Sequence, residues 1–177
     1  MQKLKIPVTL DIKRAAQHET CYEGYIVLAQ MKRLTVSLAS DQGDVDVKLQ
    51  TGVDPRGLSF LKGQAQVSTL SICQRCNQNV NIDLLADFAY SPVKIGYDDD
   101  EENQLPDYYE PIQINEFGEI GLRDLIEDEL ILEVPLIAMH DEQDCPAAGK
   151  DMTWGKIEEV VEEKPNPFAV LKQLKRN

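Results

Sequence analysis

Val45-Asp-Val-Lys-Leu49, Gly57-Leu-Ser-Phe-Leu61, Gln64-Ala-Gln-Val-Ser-Thr-Leu-Ser-Ile72 and Val80-Asn-Ile-Asp-Leu-Leu-Ala-Asp-Phe-Ala-Tyr90 follow one another between Asp44 and Val93. These runs are rich in β-branched and aromatic residues, and apolar and polar side chains largely alternate, the pattern of strands with one buried face. Breaks at Asp54-Pro55-Arg56-Gly57, at Lys62-Gly63 and at Cys73–Asn79 are short enough for hairpins, so the economical arrangement is an antiparallel meander.

Upstream, Lys3 to Leu10 alternates Leu4, Ile6, Val8 and Leu10 with polar residues or proline. This is a half-buried strand, and its interior Pro7 points to a sheet edge. Asp11 can cap a short helix running to about Glu19 by accepting from free amides of the first turn. In residues 26–39, Val27, Met31, Leu34 and Leu38 recur at helical steps, and a second amphipathic helix is expected. Downstream, Pro111-Ile-Gln-Ile-Asn reads as a strand, and Gly121 to Glu133 as a helix with Leu122, Leu125, Ile126, Glu129 and Leu130 on one face, ended by the Leu132–Pro135 exit. The segment at about 97–108, with Asp98-Asp-Asp-Glu-Glu, is too charged to pack and is expected to be a mobile loop. In the tail, Asn166 as N-cap, Pro167 at the first helical position and Phe168, Leu171 and Leu174 at three-residue spacing predict a short sticky helix. The fold class is therefore α+β: an antiparallel β-meander sheet with packed helices in one domain over 1–163, and an extended basic helical tail at 164–177.

Charge is segregated along this chain. Between Asp98 and Glu163 there are 22 acidic residues against Arg123, Lys150 and Lys156, a formal −19, whereas the remainder sums to +6 within an overall −13. Such a block is felt by a docking partner across a screening length of about 8 Å. Free nucleic-acid binders are usually net basic, so RNA contact is expected either through the basic ends or indirectly, through a basic protein held by the acidic block. No run approaches the length of a membrane span, and Met1-Gln-Lys-Leu-Lys-Ile-Pro lacks an apolar signal core. A cytoplasmic protein with four reduced cysteines is expected.

The sharpest constellation is Cys73-Gln-Arg-Cys76 in a hairpin turn. Two thiolates so held can share one tetrahedral metal ion. His140 and Cys145 could complete a Cys₃His set with one structural zinc if their loop folds back over the hairpin. The other readings are reduced cysteines in a turn and redox chemistry, although a thioredoxin-type motif should open a helix in a βαβ unit. Cys21 lacks a partner at ligand spacing and reads as a small apolar residue. His18 and His140 are the only imidazoles, and neither a G-x-S-x-G sequence nor a glycine-rich phosphate cradle occurs. Glu127, Asp128 and Glu129 could serve two-metal or acid/base chemistry, but a charged helix face is more simply a solvated one. Arg75 is either a surface cation of the hairpin or a phosphate contact. Phe168 with Lys172, Lys175 and Arg176 either docks on its own domain or engages a partner and RNA.

Five segments then coincide in order: Cys73-Gln-Arg-Cys76, Tyr109-Glu-Pro-Ile-Gln-Ile-Asn-Glu-Phe-Gly-Glu-Ile120, Glu127-Asp-Glu-Leu-Ile-Leu132, His140-Asp141 with Cys145, and Lys164-Pro-Asn-Pro-Phe-Ala-Val-Leu171. In this register the chain resembles, nearly end to end, the bacterial large ribosomal RNA subunit accumulation proteins, the YceD family. The resemblance implies a cytosolic protein needed for 23S rRNA accumulation, acting in synthesis, processing or protection of that RNA during large-subunit assembly, and a non-enzymatic role is expected. It supplies no catalytic residues. Joined to the charge map, it leads to an adaptor between 23S rRNA and a basic large-subunit protein or assembly factor. The alternatives are a metal-dependent, carboxylate-based rRNA-processing enzyme and a zinc-stabilised regulatory binding protein.

Overall fold

The computed structural model describes residues 4–93, 105–149 and 168. Its centre is the expected meander: β4 (Asp44–Val53), β5 (Ser59–Ile72) and β6 (Asn79–Val93) pair antiparallel in sequence order. Asp54 closes the first hairpin, where its Oδ1 accepts from the amides of Arg56 and Leu58 at 2.9 and 2.8 Å and Gly57 takes φ 84°, a value glycine adopts at little cost. The break expected at Lys62-Gly63 is absent, and β5 runs straight through it. Gly63 serves close packing instead: a Cβ there would lie 2.3 Å from the Phe88 ring on the facing strand.

With the meander included, the sheet has six strands in the order β1-β3-β4-β5-β6-β7. β3 (Cys21–Val27) joins β4 antiparallel, whereas β1 (Leu4–Lys5) and β7 (Glu110–Gln113) close the two edges in parallel pairings. The stretch from Lys3 to Leu10 is thus divided around Pro7. Its second half forms β2 (Thr9–Asp11), which pairs with β8 (Glu119–Gly121) in a separate two-stranded sheet. The edge position of the first strand is as expected from the proline, but Val8 is 52% exposed, out of step with the alternation.

The 26–39 stretch departs furthest from the helical pattern. Ile26 and Val27 end β3, a 3₁₀ turn follows at Leu28–Gln30, and only Lys32–Val36 is helical (α2). The β-branched pair pays less side-chain entropy in a strand than in a helix, and β4 offers it seven residues of pairing. Met31 and Leu34 of the helical repeat remain fully buried. α1 (Ile12–Gln17) begins as anticipated, with Asp11 accepting from the Arg14 amide at 3.0 Å. α3 (Leu122–Leu132) buries Leu122, Ile126 and Leu130, together with a carboxylate, Glu127.

The helices gather on one face of the sheet. Ile12 and Ala15 of α1, Leu34 of α2 and the apolar stripe of α3 share a core with Val45, Val47, Leu49, Leu61, Ala65, Val67, Leu84 and Ala86. The intervening side chains, such as Asp46, Lys48, Gln64, Gln66, Asp83, Leu85 and Asp87, point to the opposite face and are exposed. At 105–109 the chain turns, Tyr109 N donating to Pro106 O at 2.9 Å, and the Tyr109 ring stacks on Phe60 at 5.9 Å. The tail expected to be helical at 164–177 lies outside the described residues except for Phe168, which is 69% exposed, as do residues 97–104 of the acidic segment.

Candidate metal centre

The β5–β6 hairpin ends in the turn that carries Cys73 and Cys76. Cys73 N donates to Gln78 O and Asn77 N to Cys73 O, both at 2.8 Å, and Asn77 takes φ 56°, a left-handed conformation that asparagine tolerates better than most residues. After α3 the chain passes Pro135 and returns across this turn. Gln74 fixes the return by donating its backbone N–H to Ala138 O at 2.9 Å and its side-chain Nε2 to Leu136 O at 3.0 Å. Cys145 follows in a further turn, its amide donating to Asp141 O at 3.1 Å.

The fold-back thereby unites the two halves separated in sequence. The ligand atoms of Cys73, Cys76, His140 and Cys145 all lie within 4.8 Å of one another, and no other group of three or more metal-ligating side chains converges among the described residues. A tetrahedral zinc with Zn–S near 2.3 Å sets its sulfurs about 3.8 Å apart and a sulfur and an imidazole nitrogen about 3.6 Å apart. The Cys76 Sγ to His140 Nδ1 separation is 3.4 Å. On its far side, His140 Nε2 lies 2.9 Å from Asn79 O. A carbonyl only accepts, so Nε2 carries the proton, and in the neutral ring Nδ1 is then bare toward the sulfurs. This is the orientation and tautomer a metal-binding imidazole needs.

The electrostatics fit the same chemistry. Burial works against a Cys73 thiolate, but backbone N–H groups of His140, Cys76 and Arg75 directed at its sulfur outweigh burial and bring the thiol down to about 5. Burial pushes the Cys76 thiol up; the Gln78 N–H opposes this, and the sulfurs of Cys73 and Cys145 add to the rise. Three sulfurs this close form a site whose full deprotonation calls for a cation. All three cysteines are free thiols. The turn links two strands and opens no helix, unlike a thioredoxin-type arrangement.

Other expected site residues are placed differently. Arg75 folds over Met139, Nη2 to Sδ at 3.8 Å, and its Nη1 is buried without a hydrogen-bond partner. Lys172, Lys175 and Arg176 lie outside the described residues. Cys21 is exposed at the start of β3 and is no core residue. Glu127, Asp128 and Glu129 of α3 are not a uniformly solvated face. Glu127, 4% exposed, accepts from the amides of Arg33 and Leu34 at 2.6 and 3.1 Å and so caps α2, which has no side-chain cap of its own. Asp128 pairs with the Arg33 guanidinium, and Glu129 accepts from Tyr90 Oη, whose pKa is raised by burial and by that carboxylate. Sequence patterning does not reveal this clamp, because Arg33 and Glu127 are 94 residues apart. Asn79, which orients His140 through a backbone carbonyl, leaves no side-chain signal at all.

Fold and centre together define a small α+β protein in which the tip of a long hairpin and the loop after α3 jointly form a Cys₃His cluster able to hold a metal ion. The model of the large ribosomal RNA subunit accumulation protein YceD matches residues 61–175. The large ribosomal RNA subunit accumulation protein YceD of Haemophilus influenzae (strain ATCC 51907 / DSM 11121 / KW20 / Rd) is 42% identical over 176 residues, covering 99% of each chain. This chain belongs to the YceD family. No solved structure matches it. No helix among the described residues is long and apolar enough to cross a membrane.

Proposed function

We propose that this chain is a non-catalytic factor of the cytoplasm that supports accumulation of 23S rRNA during large-subunit assembly. The observation that carries this reading is the end-to-end similarity to a relative named for large ribosomal RNA subunit accumulation. Within that role it acts as an adaptor: the acidic block from Asp98 to Glu163 receives a basic ribosomal protein or assembly factor, while Arg75 and the basic tail with Phe168, Lys172, Lys175 and Arg176 lie toward RNA. Opposed patches of this kind speed encounter and set orientation more than they add affinity. One structural zinc on Cys73, Cys76, His140 and Cys145 staples the loop after α3 to the hairpin; the convergence of the four ligand atoms supports it. Glu127, Asp128 and Glu129 of α3 are engaged by Arg33, Leu34 and Tyr90, which favours an architectural role for them over a catalytic one.

The test is genetic and biochemical. Loss of the protein should lower 23S relative to 16S rRNA, and the wild-type chain should restore it; an unchanged ratio refutes the role. Crosslinking in growing cells should recover a basic large-subunit protein. Divalent-metal-dependent turnover of labelled rRNA by the purified chain would replace the adaptor with an enzyme.

A further inference from the structure

Among the described residues, β6 has an edge that the sheet leaves open. On one side it pairs with β5 in unbroken register from Asn79 to Tyr90; on the other, β7 begins only at Tyr90. Hydrogen bonds at both ends show which residues face that second side. Asn79 O accepts from His140 and Val93 O from Ile114 N, while Gln78 O accepts from Cys73 N on the β5 side. Successive residues of a strand turn their N–H and C=O groups to opposite sides, so Asn81, Asp83, Leu85 and Asp87 direct theirs away from β5. Among the described residues no strand pairs with them. At about 3.3 Å per residue this leaves roughly 20 Å of open ladder, bounded by His140 at one end and β7 at the other. Folded proteins ordinarily shorten, cover or interrupt such an edge.

The side chains along it state what would fit. Asp83 and Asp87 are exposed and receive hydrogen bonds from neutral donors, Ser68 Oγ and Gln64 Nε2, and neither forms an ion pair among the described residues. Toward β7, a groove of about 510 Å³ is lined by Asp87, Asp107 and Glu110 with Lys62 and Tyr108, three carboxylates against one ammonium. Between the two aspartates, Leu85 is 48% exposed and offers an apolar foothold. A second copy of this chain fits poorly, since antiparallel pairing centred on Leu85 would set Asp83 opposite Asp87, and like charges directly opposite are destabilising.

We propose that Asn81–Asp87 is a β-augmentation site for one extended Lys/Arg-rich segment of a partner protein. The added strand's backbone bonds to the open ladder, and its alternate side chains meet Asp83 and Asp87. The basic character of the partner rests on the adaptor reading above, and this proposal supplies the surface on which that partner is held.

The probe is a synthetic peptide alternating lysine with valine, titrated into the full-length chain. The amides of Asp83, Leu85 and Asp87 should exchange freely in the unbound protein, and binding should slow them. The same peptide N-methylated on alternate amides keeps its charge but cannot pair, and should bind about tenfold or more weakly. Leu85→Pro removes an outward N–H while sparing the β5 bonds and should weaken binding by a similar factor, with circular dichroism confirming the fold. Asp83→Asn with Asp87→Asn, which keeps the backbone intact, should weaken it several-fold and flatten its salt dependence. Equal affinity for the N-methylated peptide, or amides already protected in the free chain by its own tail or a second copy, overturns the proposal. If these variants lose nothing while the wild-type and variant chains still capture a basic large-subunit protein, the edge is wrong and the adaptor reading stands. If the wild-type chain captures no such protein yet binds the peptide as described, the adaptor reading fails alone.

Discussion

The core between sheet and helices draws buried side chains from α1, α2, α3 and strands β3 to β6, whereas the cluster at the far end of the β5–β6 hairpin buries only Cys73, Val80, Ala138 and Cys145. At about 1.5–3 kcal/mol for each large apolar side chain removed from water, the first region has ample means to order itself. The second does not. Two of its four buried members are sulfur ligands and a third is an alanine, while Leu132, Leu136, Ile137 and Met139 in the chain leading to and through it remain exposed. One region is therefore held by apolar area, and the other by a few directed bonds that the proposed metal would complete.

The largest effect should separate the two regions outright. Replacing Cys73 with Ser, or treating the protein with a strong chelator, should release one equivalent of zinc and free the amides of residues 136–148 to exchange, while the β4–β5–β6 amides stay protected. Metal analysis with hydrogen exchange reads both halves, and uniform loss of protection would erase the distinction. The converse substitution, Ile126→Ala, should cost about 2–5 kcal/mol of global stability in a denaturant melt while the folded protein keeps its metal. A smaller loss of about 1–3 kcal/mol is expected for Glu127→Gln, which removes the charge that accepts from the Arg33 and Leu34 amides. Tyr90→Phe, which deletes only the hydroxyl donating to Glu129, should cost about 1 kcal/mol. Neither of these last two changes should alter zinc content; if either does, the regions are more tightly coupled than their separate cores imply.

The meander was legible because β4, β5 and β6 alternate over long runs, and Asp54 and the Cys73–Cys76 turn mark their reversals. Where the pattern was short, context decided. Ile26 and Val27 fit a helical repeat as well as a strand until β4 is available to pair with them. Gly63 looks like a turn residue until Phe88 is seen to fill the space a side chain would need. The Cys₃His set was nameable from ligand chemistry, but its closure depends on Gln74 bonding the returning chain at Leu136 and Ala138. The Arg33–Glu127 clamp left no trace in local spacing.

What the amino-acid sequence determined alone was local or compositional: the periodicity of the long strands, the Asp11 cap, the gathering of acidic residues, and the kinds of side chain able to bind a metal. Tertiary structure alone decided that β1 and β7 join the edges in parallel, that His140 and Cys145 meet Cys73 and Cys76, and that one stretch of β6 is left unpaired among the described residues. The physical reason is reach. Alternation and capping act over a few neighbouring residues, whereas the edge strands pair Leu4 with Gly24 and Tyr90 with Glu110, and ligand convergence and the Arg33–Glu127 clamp join residues 64 and 94 apart, brought together only when the whole core is buried.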